Sequence, residues 1–141
     1  MNIYRISELN DKLSEALERL LPQLSSSAQM PTNQHLEKLL NDNNTHLFVA
    51  EVEGSIVGML SLVIVDIPTG RKAWIEDVVV DIEARGLRIG QALVERAKEC
   101  AVSLGATKIY LTSNPSRVAA HKLYKNCGFE EYNTCVFRIK M

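Results

Sequence analysis

No apolar run in these 141 residues approaches the roughly 20 residues needed to span a bilayer as a helix. The opening residues Met1-Asn2-Ile3-Tyr4-Arg5 lack a signal-peptide hydrophobic stretch, so a cytoplasmic protein with no membrane partner is expected. An excess of one charge is also missing. The 16 Lys and Arg against 17 Asp and Glu leave a net charge of −1, which gives no global basic field to draw in nucleic acid. Only three cysteines occur, Cys100, Cys127 and Cys135, widely spaced, with no Cys-x-x-Cys pair and no histidine cluster beside them. That pattern argues against a disulfide scaffold and against a metal site, and leaves three small packing residues in a reducing compartment. Internal repeats, long linkers and low-complexity tracts are absent, and Ser25-Ser26-Ser27 is too short to divide domains. With 46% hydrophobic and 23% charged residues, residues 1–141 read as one globular domain with a substantial core.

What is present centres on Trp74 to Leu93. Ile75 to Val80 is rich in β-branched residues, as a mostly buried strand should be. Glu83 to Gly86 is polar and ends in glycine, which predicts a tight loop. From Leu87 onward, Ile89, Ala92, Leu93, Ala97, Cys100, Ala101 and Leu104 fall at helical spacing. A strand, short loop and helix therefore place Arg85, Gly86, Arg88 and Gly90 around one junction. The first turn of a helix has unpaired N–H groups and the positive end of the macrodipole, so it attracts phosphate. Gly86 and Gly90 are expected to let a bulky anion approach the backbone, and Arg85 and Arg88 to add charge-assisted donors. A pyrophosphate-bearing cofactor is the reading this supports. Glycine spacing alone fits equally an ordinary turn with two solvated arginines. No Gly-Lys-Ser/Thr follows and no Gly-x-Gly-x-x-Gly is present, so the two common nucleotide-binding loops recede.

In chain order, Ile3 to Ile6 predicts a short strand and Ser7 an N-cap. A helix follows with Leu9, Leu13, Ala16, Leu17, Leu20 and Leu21 on one face, stopped by Pro22 and the Ser25–Ser27 stretch. Pro31-Thr32 opens a second helix carrying Leu36, Leu39 and Leu40. His46 to Glu53, Ile56 to Asp66 and Lys72 to Asp81 predict an antiparallel meander turned at Glu53-Gly54 and Pro68-Thr69-Gly70, with Gly58 marking close packing by a neighbour. Gly105 ends the helix that follows, and Thr107 to Ser113 predicts a strand parallel to its predecessor. Ser116 is expected to cap a short helix running to about Asn126 and closed by Gly128. Phe129 to Tyr132 and Cys135 to Ile139 are expected to form two last strands.

Arg85-Gly86-Leu87-Arg88-Ile89-Gly90 resembles the Gln/Arg-x-x-Gly-x-Gly/Ala loop of the GNAT superfamily of acyl-CoA-dependent N-acyltransferases, with Arg88 where that family usually has its middle glycine. A second stretch, Ala120 to Phe129, is similar to the Ala-x-x-Leu-Tyr-x-x-x-Gly-Phe pattern of many members. The element order also matches from end to end. The resemblance implies an α/β (α+β) fold: a mixed, mostly antiparallel sheet of about seven strands with about four helices, its strands splayed at the cofactor site. It implies acetyl-CoA as co-substrate. Arg85, Gly86, Leu87, Arg88, Ile89, Gly90 and Gln91 would wrap the pyrophosphate, Val78, Val79 and Val80 would pair with the pantetheine arm, and Asn114 would contact that arm. Tyr124 would face the cofactor sulfur.

Acetyl transfer to an amine imposes three needs. The amine, with a reference pKa of about 10.4 for a lysine-like group, must lose a proton. The developing oxyanion needs a donor, for which the Val78 N–H is the candidate. The departing thiolate benefits from an acid, for which Tyr124 is the candidate; packing is the other role a buried phenol serves. Glu76 and Asp77 are the carboxylates nearest this centre, and successive strand residues face opposite ways, so without a bulge only one can line it. Glu76 is the candidate base, directly or through water; a structural salt bridge is the competing role. His121 lies beside Lys122 and Lys125 on a face expected to be solvated. The acceptor reads as a small-molecule or peptide amine, with attack in a ternary complex because no cysteine is placed to carry the acyl group. A non-catalytic acetyl-CoA-sensing module is the alternative. Edge strands at the C-terminal end would invite a homodimer.

Overall fold

The computed structural model describes residues 1–141. Strand β1 (Asn2–Ile6) is followed by helices α1 (Asp11–Leu24) and α2 (Asn33–Asn41), then by strands β2 (Thr45–Val52), β3 (Ser55–Ile67) and β4 (Gly70–Val80). A 3-10 turn (Ile82–Ala84) leads to α3 (Ile89–Ser103), strand β5 (Ile109–Tyr110) and α4 (Val118–Asn126). The sheet order is β1-β2-β3-β4-β5; the first three pairings are antiparallel and β4 with β5 is parallel. The meander and the parallel crossover are as expected. The expected seven strands are five: Phe129–Tyr132 and Cys135–Ile139 form no ladder, and Thr107–Ser113 contracts to the two residues of β5. β-propensity alone does not make a strand, and neither segment pairs with the open outer edge of β5.

Local differences have local causes. Asn10, not Ser7, caps α1, its side chain accepting the Leu13 N–H at 2.8 Å. Pro22 lies inside α1, which runs one further half-turn to Leu24; the ring removes a single donor near the end of the helix, where few carbonyls lose a partner. Thr32 caps α2 as expected. Arg117 stands at the N-cap of α4, while Ser116 contributes only its carbonyl, to Val118 N–H at 3.0 Å.

The sheet is covered on both faces. Phe48, Leu60, Leu62, Ala73 and Ile75 pack against Leu93, Val94 and Ala97 of α3, with Tyr124 and Cys127 of α4 at the margin. Leu47, Val49, Met59 and Val79 pack against Leu13, Leu17 and Leu20 of α1 and Leu36 and Leu40 of α2. Each fully buried Leu or Ile contributes roughly 1.5–3 kcal/mol, so these two layers supply most of the drive to fold. Gly58 lets α3 sit down on the sheet: a Cβ there would meet Ile89 Cγ2 at 3.1 Å and Leu93 Cδ1 at 3.2 Å. Gly58→Val is therefore expected to destabilise the fold by about 1–3 kcal/mol through overpacking. Denaturant titration checks this, and an unchanged midpoint would mean that α3 yields freely.

Two irregularities in β4 shape everything that follows. Met59 pairs with Val79 but Ser61 pairs with Glu76, so Asp77 and Val78 together oppose Leu60. Asp77 takes φ +52, a left-handed conformation rare outside glycine, and the extra residue reverses the facing of the strand. Ile75 thus points to α3 while Val79 points to α1. At the far end of β4, the buried Asp81 accepts from Arg19 Nη1 at 2.6 Å and from the Glu83 N–H at 3.1 Å. The Glu83 hydrogen bond, helped by Arg19 and Gln23, holds its carboxyl below the ordinary range despite burial. Gln23 accepts the Ile82 N–H at 2.9 Å, so α1 anchors the start of the β4–α3 loop at two points.

Candidate active site

Strand pairing between β4 and β5 stops after Ala73 with Ile109 and Trp74 with Tyr110. Beyond it the strands part, and the gap is a cleft of about 210 Å³ lined by Leu24, Ile75, Glu76, Asp77, Val78, Leu111, Thr112, Arg117 and Tyr124. The splay expected at this place is present. The bulge explains why both carboxylates line it, which a regular strand would forbid.

Glu76 is in none of the ion pairs of the molecule, which removes the salt-bridge role weighed against its role as a base. Desolvation, with Asp77 adding like charge, pushes its carboxyl above the ordinary range. Tyr124 is 6% exposed and is held by an edge-on contact with Phe129 at 6.0 Å between ring centres. Burial pushes its phenol up, and the nearby Arg117 opposes that shift. A raised phenol stays protonated at neutral pH, the form that donates a proton or a hydrogen bond.

A second, larger cleft of about 800 Å³ opens on the other side of Val80. It is lined by Val80, Ala84, Arg85, Gly86, Arg88, Ile89, Gly90 and Gln91 from the loop and first turn of α3, and by Ala119, Lys122, Leu123 and Asn126 of α4. Three cations and no carboxylate line it. The first α3 amide bonded within the helix is Ala92, to the Arg88 carbonyl at 3.1 Å, so the N–H groups before it have no helical partner. A cationic concavity at the N-terminus of a 15-residue helix has the chemistry of a phosphate site.

Arg88 takes φ +58, ψ +30 at the N-cap of α3. That left-handed conformation favours glycine, and Arg88 lines the cleft. Gly86, at φ +88 with open space around it, is required for its backbone conformation. Gly90 lines this cleft and has a second job. A Cβ on it would meet Leu123 Cδ2 at 3.0 Å, so its lack of a side chain lets α4 pack against α3.

The remaining residues divide clearly. Val78 and Val80 reach the two clefts, one each, while Val79 is buried toward α1. Ile89 serves the core as well as the cleft floor. Leu87 is exposed and lines neither cleft. Asn114 also lines neither; its side chain accepts the Ser116 N–H at 2.9 Å and shapes its own loop. Arg117, Leu24, Thr112 and Lys122 were not legible as site residues. For Lys122 a signal existed: Ala119, Lys122 and Asn126 recur at helical spacing, so one face of α4 meets the loop.

The features together are a sheet splayed at a small acidic cleft beside a cationic cleft at a helix start. The chain belongs to the acetyltransferase (GNAT) family, whose sequence model matches residues 10–129. It is 30% identical over 100 residues to N-acetyltransferase 8 of Homo sapiens, covering 70% of this chain and 44% of that protein. It is 39% identical over 64 residues to glucosamine 6-phosphate N-acetyltransferase 1 of Oryza sativa subsp. japonica, covering 45% of this chain and 37% of that protein. The matched region thus spans less than half of either curated relative. Among solved structures, an aminoglycoside acetyltransferase from an uncultured soil metagenomic sample superposes with a TM-score of 0.87 at 26% identity, covering 99% of this chain and 95% of that one. A putative acetyltransferase from Agrobacterium tumefaciens gives 0.85 at 26% identity over the whole of both chains. No helix is long and apolar enough to cross a membrane.

Proposed function

We propose that residues 1–141 work as one catalytic unit, transferring acetyl from acetyl-CoA to the primary amine of a small molecule by direct attack in a ternary complex. One observation carries the reading. A cationic cleft at a helix N-terminus adjoins, two residues along β4, a smaller cleft holding two carboxylates and a buried tyrosine. At about 3.3 Å per strand residue, Val80 and Val78 lie about 7 Å apart, so an extended arm running along the strand would pass from one cleft into the other.

The donor set suits the pyrophosphate of CoA: Arg85, Arg88 and Lys122 supply charge, and the first-turn amides of α3 supply directional donors. Bound acetyl-CoA brings the activated thioester, and the remaining work belongs to this chain. Glu76 takes the proton from the incoming ammonium, and its raised carboxyl makes it a stronger base than an ordinary glutamate. Val78, placed by the bulge, offers its N–H to the developing oxyanion. Tyr124 donates to the departing sulfur. Asp77 adds negative charge that favours a cationic acceptor. Relatives named for glucosamine 6-phosphate and for aminoglycosides support an acceptor of the amino-sugar type. The three cysteines are free thiols, which supports a reducing, cytoplasmic setting.

The phosphate assignment makes Arg88 separable from the fold. Arg88→Gly is expected to weaken acetyl-CoA binding about three- to tenfold by removing one charge-assisted contact. It should also raise stability by about 1 kcal/mol through relief of the left-handed strain. Calorimetric affinity and denaturant midpoint read the two effects, and unchanged affinity would remove Arg88 from the site. The function itself is tested by following thiol release from acetyl-CoA over a panel of amino sugars, aminoglycosides, polyamines and peptide N-termini. Turnover with small amines supports the reading. Acetyl-CoA binding with no turnover on any amine would make the domain a sensor of the thioester.

A further inference from the structure

Lys72, Trp74 and Glu76 alternate along β4 with Ala73 and Ile75, which are buried under α3. The three therefore share the opposite face of the sheet, ahead of the bulge at Asp77. That face is open at this end: Val63 and Val65, which pair with Trp74 and Lys72, are only partly buried. Strand β5 adds Tyr110, in register with Trp74, their ring centres 5.2 Å apart and tilted by 30°. Tyr132 stands against Tyr110 at 5.8 Å. One position back in the same register, Lys108 comes beside Lys72. A strip thus continues from the smaller cleft, with carboxylates first, then aromatic rings, then two lysines. Neither lysine is in an ion pair. The Lys72 ammonium leans over the rings, 5.9 Å from the Trp74 centre and 5.4 Å from that of Tyr110.

We propose that this strip holds the body of the acceptor, and that the acceptor is an amine carrying a phosphate on a sugar ring. The proposal rests on the acetyl-transfer reading above, since it puts the reacting amine at Glu76. The acceptor ammonium meets Glu76 and Asp77, its ring packs on Trp74 and Tyr110, and its phosphate meets Lys72 and Lys108. The spacing suits such a molecule. Trp74 and Glu76 are one strand pair apart, about 7 Å, and Lys72 leans over Trp74, so one sugar ring with its substituents spans the gap. The exposed cation–π contacts of Lys72 are weak, and a phosphate can draw its ammonium away from the rings. The strip also selects against other amines. An aminoglycoside satisfies the carboxylates but sets further positive charge against the lysines, and an unphosphorylated amino sugar leaves them unpaired.

Trp74 is the single tryptophan of the chain, so its emission reads this site whether or not turnover occurs. Glucosamine 6-phosphate and glucosamine are titrated into the full chain in the presence of CoA, and thiol release from acetyl-CoA is then followed with each sugar. The phosphorylated sugar is expected to change the emission saturably and to bind at least about tenfold more tightly than glucosamine, with the same preference in kcat/KM. Lys72→Ala should collapse that preference toward one, Lys72→Arg should retain it, and adding Lys108→Ala to Lys72→Ala should remove what is left. Equal affinity for the two sugars, or a preference that survives the double Lys72→Ala, Lys108→Ala variant, overturns the proposal. Turnover of other amines alongside that result leaves the acetyl-transfer reading standing. A lysine-dependent preference in the emission with no acetylation of any amine supports the subsite and overturns the acetyl-transfer reading instead.

Discussion

Replacing Tyr124 by Phe is expected to lower kcat by about 10²–10³-fold while the affinity for acetyl-CoA changes less than about twofold. The ring stays where it is, because its position depends on burial beside Phe129 and on α4 packing rather than on the hydroxyl. Only the proton donor is lost. The departing thiolate is a better leaving group than an amine, so the loss should lie at the lower end of the range for general acids. Arg117 lines the same cleft and acts on the Tyr124 phenol, so Arg117→Ala should lower kcat less and leave the tyrosine effect intact. Steady-state rates with the best amine of the panel, together with calorimetry on the same preparation, decide it. A Phe variant with full kcat would return Tyr124 to the packing role considered at the outset.

Glu76→Gln is expected to cost about 10²-fold or more in kcat/KM and to abolish the acid limb of the pH profile. With Glu76 unchanged that limb should lie above the ordinary carboxylate range, because desolvation and then Asp77 raise the Glu76 carboxyl. The same shift carries a stability sign. A carboxyl whose folded pKa is raised binds more protons folded than unfolded, so folding is disfavoured once the pH passes through and above the folded value. Gln removes that penalty, and the variant should be somewhat more stable than the parent at neutral pH while nearly inactive. Loss of activity with loss of stability would instead mark Glu76 as structural. Asp77→Asn supplies the comparison. It removes a like charge, so the acid limb should move to lower pH while the bulge keeps Glu76 in place.

Much of this architecture was legible in the residues, for identifiable reasons. Helical periodicity found α1 to α4, because amphipathic spacing persists whatever the helix packs against, whereas the cap expectations at Ser7 and Ser116 failed. The parallel crossover followed from strand, helix and strand in order. The turn at Arg85–Gly90 was legible as a strand-to-helix junction, because a polar stretch ending in glycine separates β-branched residues from helically spaced ones. What escaped depends on partners far along the chain. Asp77 gives no local sign that it will adopt a left-handed turn; the bulge arises from register against Met59 and Ser61, so the joint presence of Glu76 and Asp77 in one cleft was hidden. The second job of Gly90, making room for Leu123 33 residues later, is invisible to any local window. The last two strands failed for a related reason. Val136, Phe137 and Ile139 have strand composition, but composition does not decide pairing, and they form no ladder although the outer edge of β5 is open.

The central claim is that the start of α3 and its flanking cations form a CoA pyrophosphate site. Titrating acetyl-CoA into the protein by calorimetry, with desulfo-CoA as the control lacking the thioester, tests it most directly. Micromolar binding of both ligands is expected, weakened stepwise by Arg85→Ala, Arg88→Gly and Lys122→Ala and by rising salt, as charge-assisted phosphate contacts require. Absence of binding at millimolar ligand, or binding indifferent to all three substitutions, would contradict it.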